Sequence, residues 1–374
     1  MFCPIPPAIN PCAAAVHERA VDWLGRQGLG RTGRDRSAVL DSRGADWVSR
    51  LVPHGSPDRV LLMAKWVYWG FLFDDHRCDA EPYGSDLARF VELASRLIQD
   101  LARPARAART GGRAGRGDPY AAALRTLLSD LCAHATPAQR RRWIDGNRCW
   151  LDGVVWQNSY SQRGTVAPVD DFLAFRRATT GLPVVMAMFD LADGDELTDT
   201  LLQDPGVAAL TEMARLIIGI DNDLQSYGKE MCLEEVDQNV LTVLAARRGN
   251  AAPDEALPEA VLLRDQIMAA FLDLAARVTA DAPHPALRRY VDNLGHAIRG
   301  NLDWGLAVPR YLKAPGWHDR TQRITTAPPT PLTPAGLAEL PSIAWWWGQL
   351  AALPAPRQGT VPTACERSGR VMPV

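Results

Sequence analysis

From Cys12 to Tyr311 the chain falls into segments whose apolar residues recur every three or four positions, and that spacing constrains the fold more than anything else in it. "RVLLMAKWVYWGFLFDD", "SDLARFVELASRLIQDLA", "PGVAALTEMARLIIGIDNDLQSYGKE" and "HPALRRYVDNLGHAIRGNLDWGLAVPRY" are four of them. Ala, Leu and Arg, which favour helices, dominate these stretches. No series of Val, Ile and Thr runs alternates with period two, so nothing asks for a sheet. The reading is an all-α fold of roughly a dozen helices around one core. A composition of 47% hydrophobic and 22% charged residues supplies that core.

Two stretches interrupt the pattern. Residues 102–119, "ARPARAARTGGRAGRGDP", read as a solvated connection. Beyond residue 320, "TTAPPTPLTPAG" breaks helical order. Residues 1–319 are therefore expected to form the functional domain and 320–374 a Pro-rich tail. Trp345, Trp346 and Trp347 in that tail suit a short helix docked back on the body, with self-association or a membrane-facing patch as the weaker alternatives.

A net charge of -2 gives no footprint for nucleic acid. No run of 18 apolar residues is present to span a membrane. Seven cysteines without C-x-x-C spacing read as reduced thiols, which suggests a soluble cytoplasmic protein. A monomer or a homodimer is expected.

Two polar clusters each sit directly after a greasy helical run. In "FLFDDHRCD", Asp74 and Asp75 are adjacent and Asp79 lies four beyond Asp75, on its helical face. Three carboxylates beside an apolar wall repel one another when ionised, and a hard cation with oxygen ligands relieves that. Solvation at a helix end is the plain alternative. His76 and Cys78 fall within the cluster, but their spacing is poor for zinc and no second His/Cys group answers them. In "NDLQSYGKE", Asn222, Ser226 and Glu230 stand at i, i+4 and i+8, three oxygen donors on one face. Asn and Ser are poor helix-interior residues, so their register with Glu230 suggests a task beyond packing. Asp223 and Lys229 fall off that face. Two oxygen-rich walls under apolar segments point to one cavity, with a polar mouth for metal and anion and a greasy floor.

At this point the sequence resembles the bacterial class I terpene synthases. "DDHRCD" matches their DDxxxD variant and "NDLQSYGKE" their NDxxSxxKE element. Arg176, 46 residues before Asn222, stands where the family has a diphosphate sensor, and Arg310–Tyr311 matches its Arg-Tyr pair. The resemblance covers roughly residues 5–315 and leaves the tail unaccounted for. Gln157 departs from it, since many relatives place Glu there.

The resemblance implies a single-domain helical bundle around a central cavity. It implies three Mg²⁺ ions held by Asp74, Asp75 and Asp79 on one wall and by Asn222, Ser226 and Glu230 on the other. Arg176, Lys229, Arg310 and Tyr311 would bind the diphosphate. Thr179, Thr180 and Gly181 would form the break that follows the sensor. Phe71 and Trp304 are the aromatic candidates for facing a carbocation, and Gly70 leaves room beside Phe71. The implied reaction is ionisation and cyclisation of a linear isoprenoid diphosphate, farnesyl diphosphate first, geranylgeranyl diphosphate as the alternative. A chain-elongating synthase would show two Asp-rich motifs, and a protonation-initiated cyclase a DxDD element. A non-catalytic helical scaffold would tolerate loss of Asn222.

Overall fold

A computed structural model describes residues 1–78, 82–103, 118–233, 238–249, 251–280, 284–312, 317, 323–332 and 334–354. It is all-α among these residues, and a single parallel bridge between Phe2 and Thr325 is its one recorded extended pairing. Asp79 and most of the 102–119 stretch lie outside the described residues.

Among the described residues up to Gly305, fifteen α-helices follow one another: α1 (Ala13–Arg26), α2 (Gly33–Ser42), α3 (Gly44–Leu51), α4 (Pro57–Phe73), α5 (Leu87–Ala102), α6 (Pro119–Cys132), α7 (Pro137–Ser161), α8 (Val169–Thr179), α9 (Leu182–Met186), α10 (Phe189–Asp193), α11 (Asp199–Leu202), α12 (Pro205–Leu233), α13 (Val240–Arg247), α14 (Leu257–Ala280) and α15 (Pro285–Gly305). The longest start with clear signals. Pro137 opens α7 behind a capping box, in which Thr136 accepts from the Gln139 backbone and the Gln139 side chain accepts from the Thr136 backbone. On α5, Phe90, Ala94, Leu97 and Leu101 form one buried stripe, as a helix with one wet face requires.

Burial sets α4 apart. Twelve of its 17 residues are buried, so it is a central helix covered on all sides. The helices α3, α7, α8, α12 and α15 close with it around a cavity of about 530 Å³. No helix among the described residues is long and apolar enough to cross a membrane.

Beyond α15, Thr325 hydrogen-bonds to the backbone of Met1 and Cys3. The C-terminal helix Pro341–Ala352 packs on α8, α12 and α14. Trp346 is fully buried there, and its Nε1 donates to Glu212 at 3.0 Å. Trp345 and Trp347 are half-buried.

Candidate active site

The central helix α4 ends in the first polar wall. α4 does not stop at Phe73 but widens into a π-helical turn over Asp74–Cys78. That turn changes the geometry expected of a regular helix. Asp74 lines the cavity, whereas Asp75 turns to the Arg310 guanidinium at 3.0 and 3.4 Å. Asp75 is thus not among the residues lining the cavity, and the expected helical face that it shares with Asp79 involves a residue outside those described. Burial, then the neighbouring Asp75 charge, pushes the Asp74 carboxyl up to about 6. Burial would raise Asp75 too, but Arg310 outweighs it and holds Asp75 below the usual carboxylate range. His76 is turned away to Asp35, at 3.0 Å.

The second wall is the middle of α12. Asn222, Ser226, Lys229 and Glu230 all line the cavity. Ser226 donates to Glu230, whose other oxygen accepts from Asn239 at 3.0 Å. Asn222 accepts from Arg176 at 2.8 Å through Oδ1 and donates through Nδ2 to the Tyr311 hydroxyl at 2.7 Å. With its oxygen taken as acceptor, Tyr311 keeps its own proton free to donate into the mouth.

Asp223 is a functional candidate that helical spacing hid. It lies off the Asn222 face yet lines the cavity, accepting from Arg176 at 2.5 Å and from the Val240 backbone at 3.2 Å. Burial pushes its carboxyl up to about 7, and Arg176 works against that. The pairing spans 47 residues, so no local pattern announces it. Asn239 was missed for the same reason: it caps α13 through Leu241 and braces Glu230 at once.

Arg176 ends near the helix break. Its Nη1 donates to Thr179 at 2.9 Å, while its Nε and the Thr180 hydroxyl are buried without partners. Gly181 then adopts φ 72, a left-handed conformation that glycine takes without strain. A Cβ on Gly181 would stand 2.7 Å from the Trp66 ring, so glycine also permits the close approach. Trp66 is fixed by Asn147 at 3.1 Å and stands edge-on to Trp150, with centroids 5.4 Å apart.

Opposite, Phe71 stacks on Trp304 with centroids 6.3 Å apart, and Arg310 lies 5.3 Å over the Phe71 ring. Trp304 donates to the Ser42 carbonyl at 2.9 Å and meets Tyr311 edge-on. Gln157 also lines the cavity.

The donor set suits a hard cation. Among the described residues no three His, Cys, Asp or Glu side chains form a cage by themselves. The oxygen donors are instead divided between two walls, Asp74 on one and Asn222, Ser226 and Glu230 on the other. Carboxylate, amide and hydroxyl oxygens are magnesium-type ligands. A cation beside Asp74 would also relieve the repulsion from Asp75 that raises it.

A helical bundle with two oxygen walls at the mouth of an aromatic cavity has the architecture of a class I terpene synthase. The chain belongs to that family: the model for "Terpene synthase family 2, C-terminal metal binding" matches residues 65–270. It is 35% identical to spiroviolene synthase of Streptomyces violens, over 93% of this chain and 95% of that one. It is 33% identical to the (2E,6E)-farnesyl diphosphate cyclizing (+)-T-muurolol synthase of Streptomyces clavuligerus, over 95% and 83%. The crystal structure of the SVS_A2 protein from ancestral sequence reconstruction superposes with a TM-score of 0.80 at 36% identity, covering 93% of this chain and 98% of that one. The chain is an enzyme, a lyase of the terpene-cyclising class with a metal-binding domain.

Proposed function

We propose that this enzyme ionises and cyclises a linear isoprenoid diphosphate in a Mg²⁺-dependent reaction, releasing a cyclic terpene and diphosphate. The observation that carries the proposal is the facing of Asp74 and the Asn222–Ser226–Glu230 wall across one cavity, with Arg310, Lys229 and Tyr311 at the same mouth.

Asp74, Asn222, Ser226 and Glu230 would hold the metal, three ions when diphosphate completes the ligand set. Magnesium, when bound, supplies Lewis-acid stabilisation of the charge that develops on the leaving group. The chain's own groups do the rest. Arg310, oriented by Asp75, and Lys229 present cationic donors to the diphosphate oxygens. Tyr311, its oxygen already occupied by Asn222, donates its proton. Arg176 exchanges its bonds to Asn222 and Asp223 for diphosphate oxygens, which frees the Asn222 oxygen for the metal. The allylic C–O bond breaks and its electron pair leaves with diphosphate. Phe71 and Trp304 turn aromatic faces to the cation, and the Trp66–Trp150 pair helps keep bulk water out. Loss of a proton to the released diphosphate closes the cycle.

Two chain lengths are supported by separate observations. The farnesyl diphosphate cyclizing relative supports fifteen carbons. Gly70 supports twenty: it lines the cavity, and what a Cβ there would meet is the Trp66 ring, no closer than 3.7 Å. Free thiols at Cys3, Cys12, Cys132, Cys149 and Cys232 support a reducing, cytoplasmic setting.

The test is product analysis by gas chromatography and mass spectrometry. Purified protein is incubated with the ten-, fifteen- and twenty-carbon linear diphosphates, with Mg²⁺ and with chelator. A cyclic product from one substrate that vanishes with chelator is the expected result and settles chain length. Folded protein giving no Mg²⁺-dependent product from any of them would overturn the proposal.

A further inference from the structure

A second recess, of about 340 Å³, lies between the first halves of α7 and α12. Arg142, Asp145, Gly146 and Cys149 form its stripe on α7; Ala208, Thr211, Glu212 and Arg215 form the stripe on α12. Both follow the i, i+3, i+4, i+7 spacing of one helical face. Pro183, Met186 and Ala187 close one side. Gly146 lets that segment come in, since a Cβ there would stand 2.6 Å from the Pro183 carbonyl oxygen. The recess shares no lining residue with the diphosphate cavity.

Its charges are balanced with one exception. Asp190 accepts from Arg142 at 2.6 Å and from the Leu191 and Leu197 backbone. Glu212 is bonded by Arg177 and Trp346, and Asp145 is paired with Arg148 at 2.7 Å. Arg215 has no ion pair or hydrogen bond among the described residues, and its Nε is buried without a partner. Arg215 on α12 and Cys149 on α7 both line this recess.

We propose that this recess is a binding site for a small monocarboxylate, held by the Arg215 guanidinium with its apolar body against Pro183, Met186 and Ala187. An unpaired guanidinium takes a planar pair of oxygens through two parallel N–H bonds, and one positive charge asks for one negative charge. A cavity of about 150 Å³ encloses benzene, so this volume admits a body on the order of ten heavy atoms. The site is independent of the proposed diphosphate chemistry.

Cys149 is exposed at the rim and reports on the recess. Iodoacetate carries a carboxylate and iodoacetamide does not, while both alkylate sulfur, forming a C–S bond as iodide leaves and the thiol proton passes to buffer. Rates at Cys149 and at the exposed Cys132 are followed by peptide mass spectrometry on the full chain. The iodoacetate-to-iodoacetamide ratio at Cys149 is expected to exceed that at Cys132 by about tenfold, the gain that a focused charge gives local concentration. Arg215→Gln removes the excess, and millimolar hexanoate protects Cys149 but not Cys132. Equal ratios at the two cysteines in the native chain would overturn the proposal. So would a ratio unchanged in Arg215→Gln. The hexanoate arm needs no variant, and absence of protection there counts against the site by itself.

Discussion

Substituting Gly181 by Ala tests whether the turn behind Arg176 sets the position of Trp66. The cost has two parts. Gly181 has φ 72, and a left-handed conformation costs a residue with a Cβ about 1–2 kcal/mol. The new Cβ would stand 2.7 Å from the Trp66 ring, where carbon atoms pack at about 3.5–4.0 Å. Either ring or turn must move by about 1 Å. A moving ring weakens the Trp66–Asn147 bond, which contributes about 1 kcal/mol. The sum is about 2–3 kcal/mol. Unfolding entropy of about 2.1 cal/mol/K per residue over 374 residues gives about 0.8 kcal/mol/K, so Tm should fall by about 3 °C. Gly70→Ala is the matched control. It lies within α4, and its Cβ would meet the same ring at an ordinary 3.7 Å. Alanine is better than glycine in a helix by about 0.5–1 kcal/mol, so Tm should rise by about 1 °C. Both variants alter the cavity, Gly181→Ala by displacing Trp66 and Gly70→Ala by adding a methyl group. Thermal melts give the signs, and product profiles on the fifteen- and twenty-carbon diphosphates give the functional consequence. The reasoning fails if Gly181→Ala melts with the native protein, or if the two variants shift Tm in the same direction.

Asn222→Ala removes a cavity oxygen and the donor that orients Tyr311, and should lower kcat by roughly a hundredfold with melting little changed, as steady-state kinetics and a thermal melt would read. Burial raises Asp193 to about 6 even though Asn293 donates to it at 2.8 Å. Its folded-state value lies above the unfolded one, so its stabilising effect is complete below about pH 4 and is lost as pH rises through about 6. Asp193→Asn, which keeps an acceptor for Asn293, should flatten stability between pH 4 and 7 by about 1 kcal/mol after solvent screening, measured by denaturant titration at both ends. Trp346→Ala empties a fully buried position between the C-terminal helix and α12, and should cost about 3–5 kcal/mol, or roughly 4–6 °C in Tm.

What the sequence revealed and what it hid follow from the range of the interactions. Helix content and the α12 wall are written in local spacing: Asn222, Ser226 and Glu230 are placed by 3.6-residue periodicity alone, and all three line the cavity. The same rule fails just past the end of α4, because a π-turn replaces the α-helical period at Asp74 and Asp75 turns to Arg310, 235 residues away. Asp223 looked peripheral on the wheel, yet Arg176 and the start of α13 converge on it from the other side of the helix. A wheel describes one helix, whereas burial of a carboxylate depends on what the neighbouring helices bring. The charged groups of this mouth are therefore spoken for by one another: Arg310 by Asp75, Arg176 by Asp223 and Asn222, Glu230 by Asn239. In a buried setting an unpaired charge would be costly, so Arg310 and Arg176 each carry a partner that they can trade for a diphosphate oxygen of like geometry. Asp74 is different, since the neighbouring charge that acts on it most strongly is another carboxylate, Asp75, which raises it. It is thus the group at this mouth with the most to gain from a cation, and the reason the first wall and the second have to be read as one site.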